Sequence, residues 1–172
     1  MTDVEDRLKE LGIELPDYIT EPDYLWGQGN RSKGDTSGVY GTYKPHHIAG
    51  NMLLLCGHVG ELHGKFTAGL LGQDVTIEEG YQSARQGAIN ALGGIRYALN
   101  GDWDRLVSLM RLLVFVACTP DFTDVHKVSS GASDLFVEVL GPEKGLICRA
   151  TIGCTTLATN HCVELWPDAE IR

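Results

Sequence analysis

The stretch from Thr76 to Val116 constrains this chain most, because it commits the fold to a long helix lying on a buried strand. Thr76-Ile77-Glu78-Glu79 is a capping box, in which the Thr76 hydroxyl and the Glu79 side chain answer the free amides of a first helical turn. Tyr81, Ala84, Ala88, Ala91, Leu92, Ile95, Ala98 and Leu99 then recur at helical spacing, and Asn100-Gly101 ends the run. The small residues on that stripe let the helix sit close against a sheet. Leu106 to Val116 is nearly continuous in leucine and valine, which predicts a central strand.

The flanking segments extend the same pattern. Val4 to Leu11 reads as a short helix stopped by Gly12. Pro16 to about Gly41 is polar, glycine-rich and without periodicity, which predicts a long loop or insertion. Met52 to Cys56 reads as a buried strand ending at Gly57, and a hairpin is expected around Gly57 to Phe66. Thr119-Pro120-Asp121 is expected to start a second helix, with proline in its first turn. Phe122, Val125, Val128, Ala132, Leu135, Phe136 and Val139 form its apolar face, and Gly141-Pro142 stops it. Leu146 to Cys154 and His161 to Trp166 are the last two expected strands. The expected organisation is an arm with an irregular insertion over residues 1–42, followed by a domain over residues 43–172. The expected fold class is α+β, a mixed sheet with two long helices on one face. The other face then needs a cover, and self-association supplies the simplest one.

Charge and composition exclude several functions. The formal net charge is −9, which disfavours a nucleic-acid backbone binder, since that would need a basic stripe, and weakens a role at an anionic membrane. No apolar run reaches the roughly 18 residues needed to span a bilayer. The acidic start lacks the marks of a secretory or transit peptide, and a cytoplasmic protein is expected. The five cysteines are odd in number and show no C-x-x-C, which favours buried thiols over disulfides or metal. Cys56 and Cys154 have no evident activating base. His46 and His47 point to opposite faces of any strand, and His58, His63, His126 and His161 are scattered without a metal-binding spacing. Neither metal nor cofactor is expected.

Arg149 and Glu164 are charges set into apolar, strand-forming runs, Ile147 to Ile152 and Cys162 to Trp166. Such charges are paired with each other or wait for a ligand. Alternation puts Arg149, Thr151 and Gly153 on one face of their strand, and Glu164 and Trp166 on one face of the next. A hairpin bent near Thr156-Leu157 would set Arg149 opposite Glu164. An arginine fork suits a small carboxylate, and a nearby glutamate can orient water.

Several segments together resemble one family. Gly50-Asn51-Met52-Leu53-Leu54-Leu55-Cys56-Gly57, Asp74 to Arg85, and Gly101-Asp102-Trp103-Asp104-Arg105-Leu106 are similar to motifs of the YjgF/Rid family. These are the reactive-intermediate imine deaminases, formerly called L-PSP endoribonucleases. Thr119 to Asp124, Gly131 to Leu135 and Leu11 to Pro16 resemble a longer subgroup of that family. The likeness covers roughly residues 7–16 and 43–166. It implies a chorismate-mutase-like fold, a homotrimer, and clefts between subunits that hold small ligands. It implies hydrolysis of 2-imino or enamino acids to 2-oxo acids and ammonia, without a cofactor. Arg149 would bind the carboxylate, Glu164 would position water, and Tyr43 would line the cleft. Gly57, His58 and Thr151 would contact substrate, with His58 standing where the family usually has Gln and Thr151 where it often has Cys. A non-catalytic 2-oxo acid binding protein of the same fold is the alternative. RNA cleavage, suggested by the older family name, fits poorly with the acidic chain.

Overall fold

The structure, a computed structural model, describes residues 4–18 and 43–172. The insertion expected between Pro16 and Gly41 lies almost entirely outside them. The elements are α1 (Val4–Glu10), β1 (His46–Ala49), β2 (Met52–Leu55), β3 (His58–Val59), α2 (Ile77–Ala98), β4 (Leu106–Ala117), α3 (Val125–Gly145), β5 (Cys148–Cys154) and β6 (Val163–Ile171). The sheet runs in the order β1-β2-β6-β4-β5, and β3 adds to β6. β4 is parallel to β5, and the other pairings are antiparallel. This is the α+β class, with both long helices on one face.

Period-two burial explains the layering. Leu112, Val114 and Val116 of β4 and Leu165 of β6 are fully or almost fully buried beneath the helices. Leu92 and Ile95 of α2, Leu99 that caps it, and Leu135 and Phe136 of α3 meet them in one apolar core. The capping box forms as the sequence requires: Thr76 Oγ1 accepts from the Glu79 amide, and the Thr76 amide donates to Glu79 Oε2 at 2.8 Å. The two helices approach closely at Gly131, where an added methyl would land on the Tyr81 carbonyl oxygen.

Four expectations are corrected. The final two strands are not a hairpin, because both pair with β4, one on each side. The segment after Gly57 gives only the two-residue β3 and a small bridged turn at Leu62 and Lys65. The hairpin lies earlier, between β1 and β2, where Gly50 takes a positive φ of 63°. α3 starts at Val125, not near Thr119, because the Thr119 amide is engaged by the Leu71 carbonyl and a turn must intervene. Gly141 does interrupt α3, with φ 74° and ψ 167°, although a last turn continues to Gly145. β6 runs on past Trp166 to Ile171, since Pro167 and Asp168 keep their places opposite β4.

The sheet face turned away from the helices carries apolar surface. Met52, Ile152 and Trp166 are 38%, 45% and 46% exposed there. Phe115 packs on Trp166 with ring centroids 5.0 Å apart.

Gly131→Ala is expected to lower stability by about 2–3 kcal/mol through backbone overpacking between α2 and α3. A urea unfolding curve measures it, and an unchanged midpoint would contradict the close approach.

Candidate functional site

β5 is the edge strand next to β4, and this decides what Arg149 can reach. Arg149 lies opposite Leu112, which is buried on the helix side, so both side chains point toward the helices. Arg149 Nη1 donates to Ser133 Oγ of α3 at 2.6 Å and to Ser130 Oγ at 3.4 Å. Thr151 points the same way and donates through Oγ1 to Ser129 Oγ at 2.7 Å. Gly153 continues that face against Cys118 and Val125. Arg149 is exposed, and among the described residues its partners are these neutral hydroxyls and no carboxylate.

Glu164 points the other way. Its neighbours Val163 and Leu165 are buried on the helix side, so the carboxylate projects from the bare face. Trp166 Nε1–H donates to Glu164 Oε1 at 2.7 Å. The turn at Gly57 closes over it, and a Cβ there would land on that same oxygen. Glycine is therefore what lets the backbone between β2 and β3 reach the carboxylate. Burial pushes the neighbouring Cys56 thiol up to about 11, with a smaller contribution from the Glu164 charge. Such a thiol is a poor nucleophile at neutral pH.

Arg149 and Glu164 are not partners within one chain. Arg149 shares its rung with Leu112, and Glu164 shares its rung with Phe115, three residues further along β4. The two side chains also leave opposite faces of the sheet. The expected pairing fails because β5 and β6 flank β4 instead of each other.

His58 is not a surface ligand either. Its ring faces α2 at Gly94 and is only 5% exposed. Nδ1–H donates to the Cys56 carbonyl at 2.8 Å, which leaves Nε2 as a buried lone pair without a partner. Burial pulls its pKa down to about 4, against a smaller opposing effect of that hydrogen bond. The ring thus anchors the Gly57 turn from behind. Tyr43 is half-buried and leads toward β1.

Sequence reasoning did not find Ser129, Ser130 and Ser133, nor the grip of Trp166 on Glu164. The serines read as ordinary interruptions of a helical stripe until β5 is known to lie beside α3. Trp166 carried a signal, being two positions from Glu164 on the same strand face. Among the described residues no group of histidine, cysteine, aspartate or glutamate is arranged to hold a metal, and no helix is long and apolar enough to cross a membrane.

These features define an α+β protein whose single-sided sheet presents an arginine at its edge and a carboxylate on its bare face. Residues 31–166 match the family described as "YjgF/chorismate mutase-like, putative endoribonuclease", and the chain belongs to that family. Protein TCP17 of Trypanosoma cruzi is 37% identical over 102 residues, covering 59% of this chain. The match spans 63% of that protein's length, less than two thirds. A crystal structure of an Agrobacterium tumefaciens protein of unknown function is 34% identical, with a TM-score of 0.80 over 98% of this chain and 92% of that one. A Shewanella oneidensis structure described as a "putative endoribonuclease" is 27% identical, with a TM-score of 0.82 over 99% of this chain and 100% of that one.

The buried His58 predicts an acid limb in stability. Unfolded histidine protonates near 6.5, whereas the folded ring resists protonation until about 4. Its contribution is therefore full above pH 6.5 and is lost as pH falls toward 4, on the order of 3 kcal/mol in all. Chemical denaturation from pH 7 to 4 is expected to show a shallower decline for His58→Asn than for the wild type. Parallel declines would contradict the assignment.

Proposed function

We propose that this protein hydrolyses 2-imino or enamino acids to 2-oxo acids and ammonia, in clefts formed between copies of the chain. One observation carries the reading: Arg149 stands exposed, held among the described residues by hydroxyl oxygens and by no carboxylate. Its remaining edge can take a carboxylate through two parallel N–H donors. An imino acid is already electrophilic at the carbon next to that carboxylate, so the reaction needs water and proton transfer only.

Glu164 is the group for the water. As general base it takes a proton from water while the oxygen adds to the imine carbon, and passes it to the imine nitrogen. It then takes the proton of the resulting carbinolamine hydroxyl and delivers it to the same nitrogen as the C–N bond breaks, the 2-oxo group forms and ammonia leaves. Trp166 holds one carboxylate oxygen and so fixes the direction of the other. The backbone at Gly57 lies against the same carboxylate, where a turn amide can orient the substrate. Thr151 has its hydroxyl committed to Ser129, so its amide is the part left for a ligand. His58 acts through the turn it anchors, and Tyr43 closes the cleft by shape or hydrogen bonding.

Because Arg149 and Glu164 leave opposite faces, a ligand touching both must lie between two copies of the chain. The apolar bare face of the sheet supports that assembly, with exposed Trp166 and Ile152 as the surface to be covered. We take the assembly to be a homotrimer. The net charge of −9 supports a small anionic substrate over RNA.

A second reading is binding of 2-oxo acids without turnover. It is favoured by the same geometry, since the anion grip is built within one copy whereas Glu164 reaches it only through another. Both readings are separated by one assay with enzymatically generated 2-iminobutanoate. Deamination predicts that wild-type protein accelerates ammonia release, that Glu164→Gln lowers kcat by about a hundredfold or more, and that Arg149→Ala mainly raises KM. Calorimetric binding of 2-oxobutanoate with no acceleration identifies the second reading. Neither acceleration nor binding by the wild type would contradict both.

A further inference from the structure

We infer that Ser130 and Ser133 of α3 are positioning residues for Arg149, forming a neutral seat that fixes the guanidinium without cancelling its charge. The inference deepens the proposed function and rests on it for the identity of the anion. Both serine oxygens face Nη1, Ser133 at 2.6 Å and Ser130 at 3.4 Å. Their own protons are turned back along the helix, Ser130 to the His126 carbonyl at 3.0 Å and Ser133 to the Ser130 carbonyl at 3.4 Å. They thus meet the arginine only as acceptors. Two positions on along the same strand face, Thr151 makes the same kind of contact to Ser129, whose proton also goes to the His126 carbonyl. The hydroxyls therefore form a continuous file joining the edge strand to the helix.

The choice of acceptor matters. Carboxylates meet other arginines of this chain: Arg7 with Glu10, Arg85 with Glu138, Arg96 with Glu5 and Arg111 with Asp168. Each such partner satisfies geometry and charge together. A hydroxyl satisfies only geometry, and the full positive charge stays available to a ligand. Only Nη1 is engaged, so among the described residues Nε and Nη2 are left without a partner and present the side-on edge of the fork. A planar carboxylate beside an sp2 carbon, as in a 2-oxo or 2-imino acid, fits that edge with two parallel hydrogen bonds. The seat fixes the plane in which such a ligand lies.

Full-length Ser133→Ala, Ser133→Thr and Ser133→Asp proteins test this. Without ligand, nitrogen NMR of the Arg149 side chain reports rotation of the guanidinium. Hindered rotation is expected in the wild type and Ser133→Thr, and free rotation in Ser133→Ala. With 2-oxobutanoate, calorimetry is expected to give affinity within about twofold of wild type for Ser133→Thr and about three- to tenfold weaker for Ser133→Ala, less than a buried charged hydrogen bond would lose. Ser133→Asp is expected to keep rotation hindered yet abolish binding, because it holds the arginine and neutralises it. Thermal melts of all three verify folding. Free rotation in the wild type, or Ser133→Asp binding as well as wild type, overturns the seat. Hindered rotation with no 2-oxobutanoate binding by the wild type overturns the proposed ligand and leaves the seat standing.

Discussion

β4 has neighbours that run in opposite directions, and that single fact places every group of interest. β5 lies parallel to it and β6 antiparallel, so the chain must pass from one side of β4 to the other between Cys154 and Val163. It does so through a short 3-10 turn at Ala158–Asn160, where Thr159 and Asn160 adopt φ of 52° and 65°. Non-glycine residues tolerate that region at some cost. The crossing leaves Arg149 on an open edge beside α3. It leaves Glu164 three rungs away on the bare face.

Having helices on one side only is the second constraint. α2 and α3 seal one face with a core that includes Leu112, Val114 and Leu165. The opposite face keeps Trp166, Ile152 and Met52 exposed. A solvated apolar sheet face is unfavourable and invites a partner. In the proposed assembly the same association that covers this surface also joins the two halves of the reaction site. Folding and function would then depend on one interface.

The sequence made the layers legible because they follow from periodicity. The capping box at Thr76, the stripe from Ala84 to Leu99 and the apolar run of β4 each predict their own structure locally. The interruption at Gly141 and the end at Asn100-Gly101 were legible for the same reason, through residues that tolerate positive φ. Strand pairing was not legible, since the run from Leu146 to Cys154 fits equally well beside β4 or β6. Candidate site residues could be named one by one, but not their arrangement. His58 shows why: its position matches a ligand-contacting place, yet its neighbour across the gap is Gly94 of α2, a contact that no local pattern encodes. The serines beside Arg149 escaped notice because their partner lies on a different element.

In the proposed assembly, Arg149 of one copy and Glu164 of another serve one site. Subunit complementation measures this directly. Arg149→Ala and Glu164→Ala proteins are each assayed alone for imine hydrolysis, then dissociated, mixed and reassembled. Mixed assemblies contain interfaces that carry both native residues, so activity clearly above that of either variant alone is expected. Mixed assemblies no more active than the two variants assayed separately would contradict it.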